Sequence, residues 1–176
     1  SSAWNHNENF FSVTNAYQAG GAVKIGASKN AGALVTKQLT AAVGETLTIS
    51  FKVKGWSSVE GSIQVSGNNS EFAQPAAITY TSTMSGSFET KTVSVVLTKA
   101  NPYIKIATTA KRAFIDDIVI TKTTSGGGSS TTYDNYITTC AVGDPCTDAV
   151  NVGKGTPSNG SFSMVSGYYS TCNEPV

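Results

Sequence analysis

Charge is scarce in this chain, and histidine scarcer still. Only 13% of the 176 residues are Asp, Glu, Lys or Arg, and the one histidine is His6. A formal net charge of +1 leaves no global field to draw in nucleic acid or an anionic membrane. A Ser/His/Asp or Cys/His device would have to use His6, which sits in an N-terminal stretch without clear patterning. The three cysteines, Cys140, Cys146 and Cys172, all lie in the last 37 residues, and their spacing is not that of a zinc site. No run of about 18 or more apolar residues exists to cross a membrane as a helix, and nothing at the start reads as a signal peptide. Helical periodicity is missing as well. Nowhere do apolar residues recur at i, i+3, i+4 and i+7 over a useful length.

What the chain does have is period-two alternation set in Ser, Thr, Asn and Gly. The clearest case is Thr46-Leu-Thr-Ile-Ser-Phe-Lys-Val-Lys54. Leu47, Ile49, Phe51 and Val53 point one way, and the residues between them point the other. A one-residue slip in register would drive Lys52 and Lys54 into the core. Weaker strands read at 22–26, 33–39, 62–66, 76–82, 91–97, 103–107 and 113–120. Turn signals such as Gly55, Gly67-Asn68-Asn69 and Asn101-Pro102 separate them. Eight short strands without helices predict an all-β protein, an eight-stranded antiparallel jelly-roll β-sandwich. Trp4, Phe10, Phe11 and Tyr17 sit in a stretch expected to lie irregularly across one end of it.

Three regions follow. Residues 1–122 form the sandwich, 123–132 a Gly/Ser/Thr linker, and 133–176 a partial β-hairpin extension or the start of a next module. Charge divides the same way. Residues 1–124 hold eleven Lys/Arg against seven Asp/Glu (net +4), and residues 125–176 one against four (net −3). A Cys146–Cys172 disulfide would close a loop of about 27 residues, contributing roughly 3–4 kcal/mol on a chain-entropy estimate. Cys140–Cys146 is the alternative pairing.

Candidate chemistry is sparse. Asp116 and Asp117 are neighbours on a strand and are expected to face opposite sides, so they could not flank one glycosidic bond together. No enzyme activity is expected. The cations Lys24, Lys29, Lys37, Lys52, Lys54, Lys91, Lys105, Lys111 and Arg112 are scattered and not interleaved with stacking aromatics along the chain, so no nucleic-acid binding is expected. Candidate ligand contacts are Trp56, in a Gly/Ser turn after the strongest strand, Tyr80 and Tyr103, which alternate with inward isoleucines, and Asn68 and Asn69 at a loop tip. Such residues suit a glycan, which takes aromatic planes and amide hydrogen bonds.

Tyr17-Gln-Ala-Gly-Gly-Ala-Val-Lys-Ile-Gly-Ala-Ser-Lys-Asn-Ala-Gly-Ala-Leu34 resembles the opening of jelly-roll modules found in large secreted proteins of Bacteroidota. Leu47–Lys54 with Gly55-Trp56 resembles their next element. Phe114-Ile-Asp-Asp-Ile118 resembles the closing strand of galactose-binding-like and carbohydrate-binding jelly rolls, and Tyr133-Asp-Asn-Tyr-Ile-Thr-Thr-Cys140 a phrase that follows such modules. The resemblance covers roughly residues 4–140. It implies a secreted or cell-surface location and attachment to further modules of the same chain. No cofactor or metal is expected, with a structural Ca²⁺ of the kind related jelly rolls often carry as the alternative. Asp116 or Asp117 would supply an oxygen, with Asn5, Asn7, Glu8 and Asn9 as partners. Two functional classes then compete: a non-catalytic carbohydrate-binding module, and a structural spacer or adhesin module without a glycan ligand.

Overall fold

The computed structural model describes residues 2–4, 9–123 and 130–133. The C-terminal hairpin, the cysteine pairings, His6, and Asn5, Asn7 and Glu8 of the expected Ca²⁺ site lie outside the described residues.

Ten strands are described: β1 (Phe10–Thr14), β2 (Ala16–Gln18), β3 (Val23–Ile25), β4 (Ala33–Thr36), β5 (Thr46–Gly55), β6 (Ile63–Gly67), β7 (Glu89–Val96), β8 (Ile104–Thr108), β9 (Ala113–Thr123) and β10 (Ser130–Tyr133). They form two antiparallel sheets. One has four strands in the order β1-β4-β8-β6. The other has six, in the order β2-β3-β9-β5-β7, with β10 added on β9. The sheets pack face to face as the expected all-β jelly-roll sandwich.

Strand β5 is the spine. It pairs with β7 on one side and β9 on the other. Its alternation is complete, with Leu47, Ile49, Phe51 and Val53 all fully buried. Burying these four side chains contributes on the order of 6–12 kcal/mol before chain entropy is set against it. Ile25, Leu34, Ile63, Ile104, Ile106, Ile115, Ile118 and Ile120 complete the same core.

Strand β9 carries an irregularity that alternation alone does not show. Lys52 pairs with Asp116 and Ser50 with Val119, so β9 has one residue more than β5 between these pairs. The extra residue makes a β-bulge, and Asp117 takes a left-handed φ of 45° there. Inward positions consequently switch from Ala113 and Ile115 to Ile118 and Ile120. Asp116 and Asp117 both fall on the outer side, which corrects the expectation that they face opposite ways.

Strand boundaries differ from expectation in three more places. The N-terminal stretch forms β1 and β2, because Phe10 and Val13 meet the core while Ser12 and Thr14 face out. Trp4 is buried edge-on to Phe10, with ring centroids 5.4 Å apart. The expected strand 76–82 reduces to a single bridge, Ile78 to Ile63. There the Glu89 carboxylate takes the backbone N–H groups of Thr81 and Ser82 at 2.7 and 2.6 Å, so they need no ladder partner. Finally, β10 arises where a linker was expected and pairs with Ile120–Thr123.

Gly26 ends β3 with φ +86°. A Cβ there would lie 1.9 Å from the Lys111 carbonyl oxygen, so glycine is a steric requirement at this position.

Candidate functional site

The outer face of the four-stranded sheet is built from two cross-strand rows. One runs Thr14–Ala33–Ala107–Gln64 and the other Ser12–Val35–Lys105–Ser66. The residues between them on each strand, among them Leu34, Ile106 and Val65, turn into the core. The local sequence sets this division: Ile104-Lys-Ile-Ala-Thr108 and Ile63-Gln-Val-Ser66 alternate with period two. Small residues at the middle of the first row leave a depression above Ala33 and Ala107. It is an open groove of about 450 Å³, with Gln64, Ser66 and Lys105 on its sheet side and Gln74 from the β6–β7 connection also lining it.

The groove's long polar side chains are uncommitted. Gln64, Gln74 and Lys105 make no side-chain hydrogen bond or ion pair among the described residues. An amide offers two donors and an acceptor, and an ammonium three donors. Here they border a shallow apolar floor.

At the end of this face stands an aromatic pair. Tyr103 precedes Lys105 by two residues and shares its outward side. Phe11, 61% exposed, packs on it with centroids 5.3 Å apart at 58°. Asn68 and Asn69 sit beside them, the Asn68 N–H donating to the Tyr103 carbonyl at 3.2 Å. A buried carboxylate holds this corner together. Glu71 Oε1 accepts the Tyr103 N–H at 3.2 Å, and Oε2 accepts the Asn69 N–H at 2.7 Å. The Glu71 carbonyl takes the N–H groups of Thr98 and Lys99, and Lys99 Nζ donates to the Asn69 carbonyl at 2.8 Å. One acid thus fixes the loop after β6 against the loop before β8.

Of the five expected ligand contacts, Tyr103, Asn68 and Asn69 come together at this corner. Trp56 lies on the outer face of the other sheet, stacked on Phe114 at 5.6 Å and 22°. Tyr80 is 5% exposed and belongs to the core, where burial pushes its phenol pKa up. Its alternation with Ile78 does not govern its direction, because no strand forms there. Phe11 was missed. Its signal was the Phe10-Phe11 pair, since adjacent strand residues face opposite ways and one of two phenylalanines must face out. Gln64, Gln74 and Lys105 had no motif to announce them.

The acids of β9 do not form a metal centre among the described residues, where no cluster of three or more His, Cys, Asp or Glu side chains exists. Asp117 is paired with Lys52 at 2.5 Å. Asp116 accepts the Asp117 N–H at 2.8 Å, and burial, with the neighbouring Asp117 charge, pushes its carboxyl up to about 7.

No protein-family model matches this chain, and no curated protein matches it. Among solved structures, one described as "CBM4 structure and function" is similar. The identity is 12% and the TM-score 0.47, over 66% of this chain and 96% of that one. Among the described residues no helix is long and apolar enough to cross a membrane.

Proposed function

We propose that the chain is an extracellular, non-catalytic carbohydrate-binding module of a larger protein, and that a glycan chain lies in the groove of the four-stranded sheet. The observation that carries this reading is the set of uncommitted groups, Gln64, Gln74 and Lys105, around a small-residue floor, with the exposed Phe11 ring packed on Tyr103 farther along the same face. Sugar hydroxyls need donors and acceptors that the protein has not already used. Sugar C–H faces need an aromatic plane at one edge. Among the described residues that line the groove Lys105 is the only titratable one, which suits holding a glycan better than cleaving one with paired carboxylates.

Affinity electrophoresis against soluble neutral polysaccharides tests it. The parent should be retarded by at least one glucan, xylan or mannan. Gln64→Ala and Tyr103→Ala should each bind about tenfold more weakly, the scale of one lost hydrogen bond or ring contact. Trp56→Ala, on the opposite sheet, should bind like the parent. No retardation of the parent by any of them would leave the spacer or adhesin reading in its place.

A further inference from the structure

The opposite face of the sandwich carries a second constellation that the groove does not use. On the outer side of the six-stranded sheet, Tyr17 pairs with Lys24, Lys24 with Phe114 and Phe114 with Lys54. Phe88, just before β7, completes the row, its ring 4.6 Å from Lys54 Nζ. Aromatic and cation alternate across the strands, although no such interleaving exists along the chain. Trp56, one residue past the end of β5, lies on Phe114 and adds a further ring.

Three cations meet these rings, and two are already occupied. Lys54 donates to the carbonyls of Met84 and Gly86 at 3.5 and 3.3 Å. Arg112 forms a two-pronged pair with Glu60, Nε to Oε2 at 2.9 Å and a terminal nitrogen to Oε1 at 2.5 Å. Lys24 is different. Its Nζ lies 4.5 Å from the Tyr17 ring centre and 5.1 Å from that of Trp56, and Arg112 approaches the same indole at 4.9 Å. Among the described residues it has no hydrogen bond and no carboxylate partner. Burial, and then the Arg112 charge, push its pKa down. Ring faces recover part of the lost hydration of an ammonium, but they do nothing to offset a like charge beside it. A half-buried cation next to another, with no counter-ion of its own, is electrostatically complementary to a monoanion.

We propose that this face binds an acidic polysaccharide, one uronate residue placing its carboxylate on Lys24 Nζ beside the Tyr17 and Trp56 rings that frame the ammonium. One free ammonium matches one carboxylate. A row laid across an open sheet matches a polymer rather than an enclosed small molecule. Nucleic acid fits less well, because a phosphate backbone needs several free cations and this row offers one. The site is separate from the groove, so the chain can hold two different glycans on its two faces.

Affinity electrophoresis in polygalacturonate and in alginate tests this, with Lys24→Gln, Lys24→Met and Lys105→Gln beside the parent. The parent should be retarded by at least one polyuronate, and less so as NaCl screens the contact. Both Lys24 variants should lose at least tenfold in affinity while melting at the temperature of the parent; Met preserves the apolar stem against the rings. Lys105→Gln should bind polyuronate as the parent does. Three results would overturn the proposal: no retardation of the parent by either polyuronate, equal retardation of parent and Lys24→Met, or retention by oligothymidylate in place of polyuronate.

Discussion

Replacing Asp116 with Asn should stabilise this protein at alkaline pH and leave it unchanged at acid pH. Asp116 sits at the β9 bulge opposite Lys52, where its carboxylate accepts the Asp117 N–H at 2.8 Å. Asp117 takes the Lys52 ammonium for itself at 2.5 Å. Asp116 is left with burial and a neighbouring negative charge, which raise its carboxyl from the ordinary 3.8 to about 7. The sign follows from proton counting. Between about pH 4 and 7 the folded chain holds a proton on Asp116 that the unfolded chain has lost. Stability is therefore greatest below the unfolded value and falls as pH rises through the folded one. At 1.36 kcal/mol per pH unit the ceiling is roughly 4 kcal/mol. The site is partly open to water and Lys52 is near, so a realistic loss is about 1–3 kcal/mol. Asn keeps the acceptor for the Asp117 N–H and removes the charge. Other carboxylates do not confuse the window. Arg112 beside Glu60, and Lys91 with the Thr81 and Ser82 amides beside Glu89, hold those two acids at about 2, so their contribution is present above the ordinary value of 4.5 and is lost as pH falls from there towards 2. Urea unfolding of parent and Asp116→Asn at pH 4, 6 and 8 reads the effect directly. The midpoints should coincide at pH 4 and separate in favour of the variant at pH 8. Coincident midpoints at pH 8, or a parent equally stable from pH 5 to 8, would refute the reasoning.

Two further outcomes follow from the packing. Glu71→Gln should cost about 1–3 kcal/mol, because one of the two carboxylate oxygens that accept the Tyr103 and Asn69 N–H groups becomes an amide nitrogen facing a donor; thermal melting gives the loss, and glycan titration should show weaker groove binding through a displaced Tyr103. Ile49→Ala should cost about 2–5 kcal/mol at a fully buried position, while Ser50→Ala, one residue on and facing outward, should stay within about 0.5 kcal/mol in the same melts; equal losses at both would contradict the register of β5.

Most of the sandwich was legible because its strands are buried on one face only. Thr46–Lys54 alternates without interruption, and the structure keeps that register throughout β5. The strands β1 and β2 were harder to read, since Phe10-Phe11 breaks simple alternation and β2 is only three residues. The 76–82 segment misled for the opposite reason. Its apolar–polar pattern suits a strand, yet its amides are taken by a side-chain carboxylate from Glu89, a contact that no local pattern encodes. The bulge in β9 was likewise invisible. One inserted residue moves Asp117 from the core side to the outer side, and nothing in Phe114-Ile-Asp-Asp-Ile118 marks which residue is extra.

The candidate sites were less legible than the fold because both are assembled across strands. Ala33 and Ala107 are unremarkable along the chain, and only their pairing, with Gln64 and Thr14 at the ends of the row, turns two small side chains into the floor of a groove. Lys24, Lys54, Tyr17, Phe88 and Phe114 are likewise dispersed over nearly a hundred residues and become an alternating ladder only through the order β2-β3-β9-β5-β7. Trp56 drew attention as an exposed turn aromatic, but its position means something only beside Phe114, Lys24 and Arg112. In a sandwich the inner faces are constrained by the core, and each outer face is free to acquire its own chemistry. This chain places uncommitted amides and one ammonium on one face and aromatic-framed cations on the other. Substitutions at Gln64 and Lys24 should therefore act independently, and a double variant should lose each kind of binding by the single effect alone.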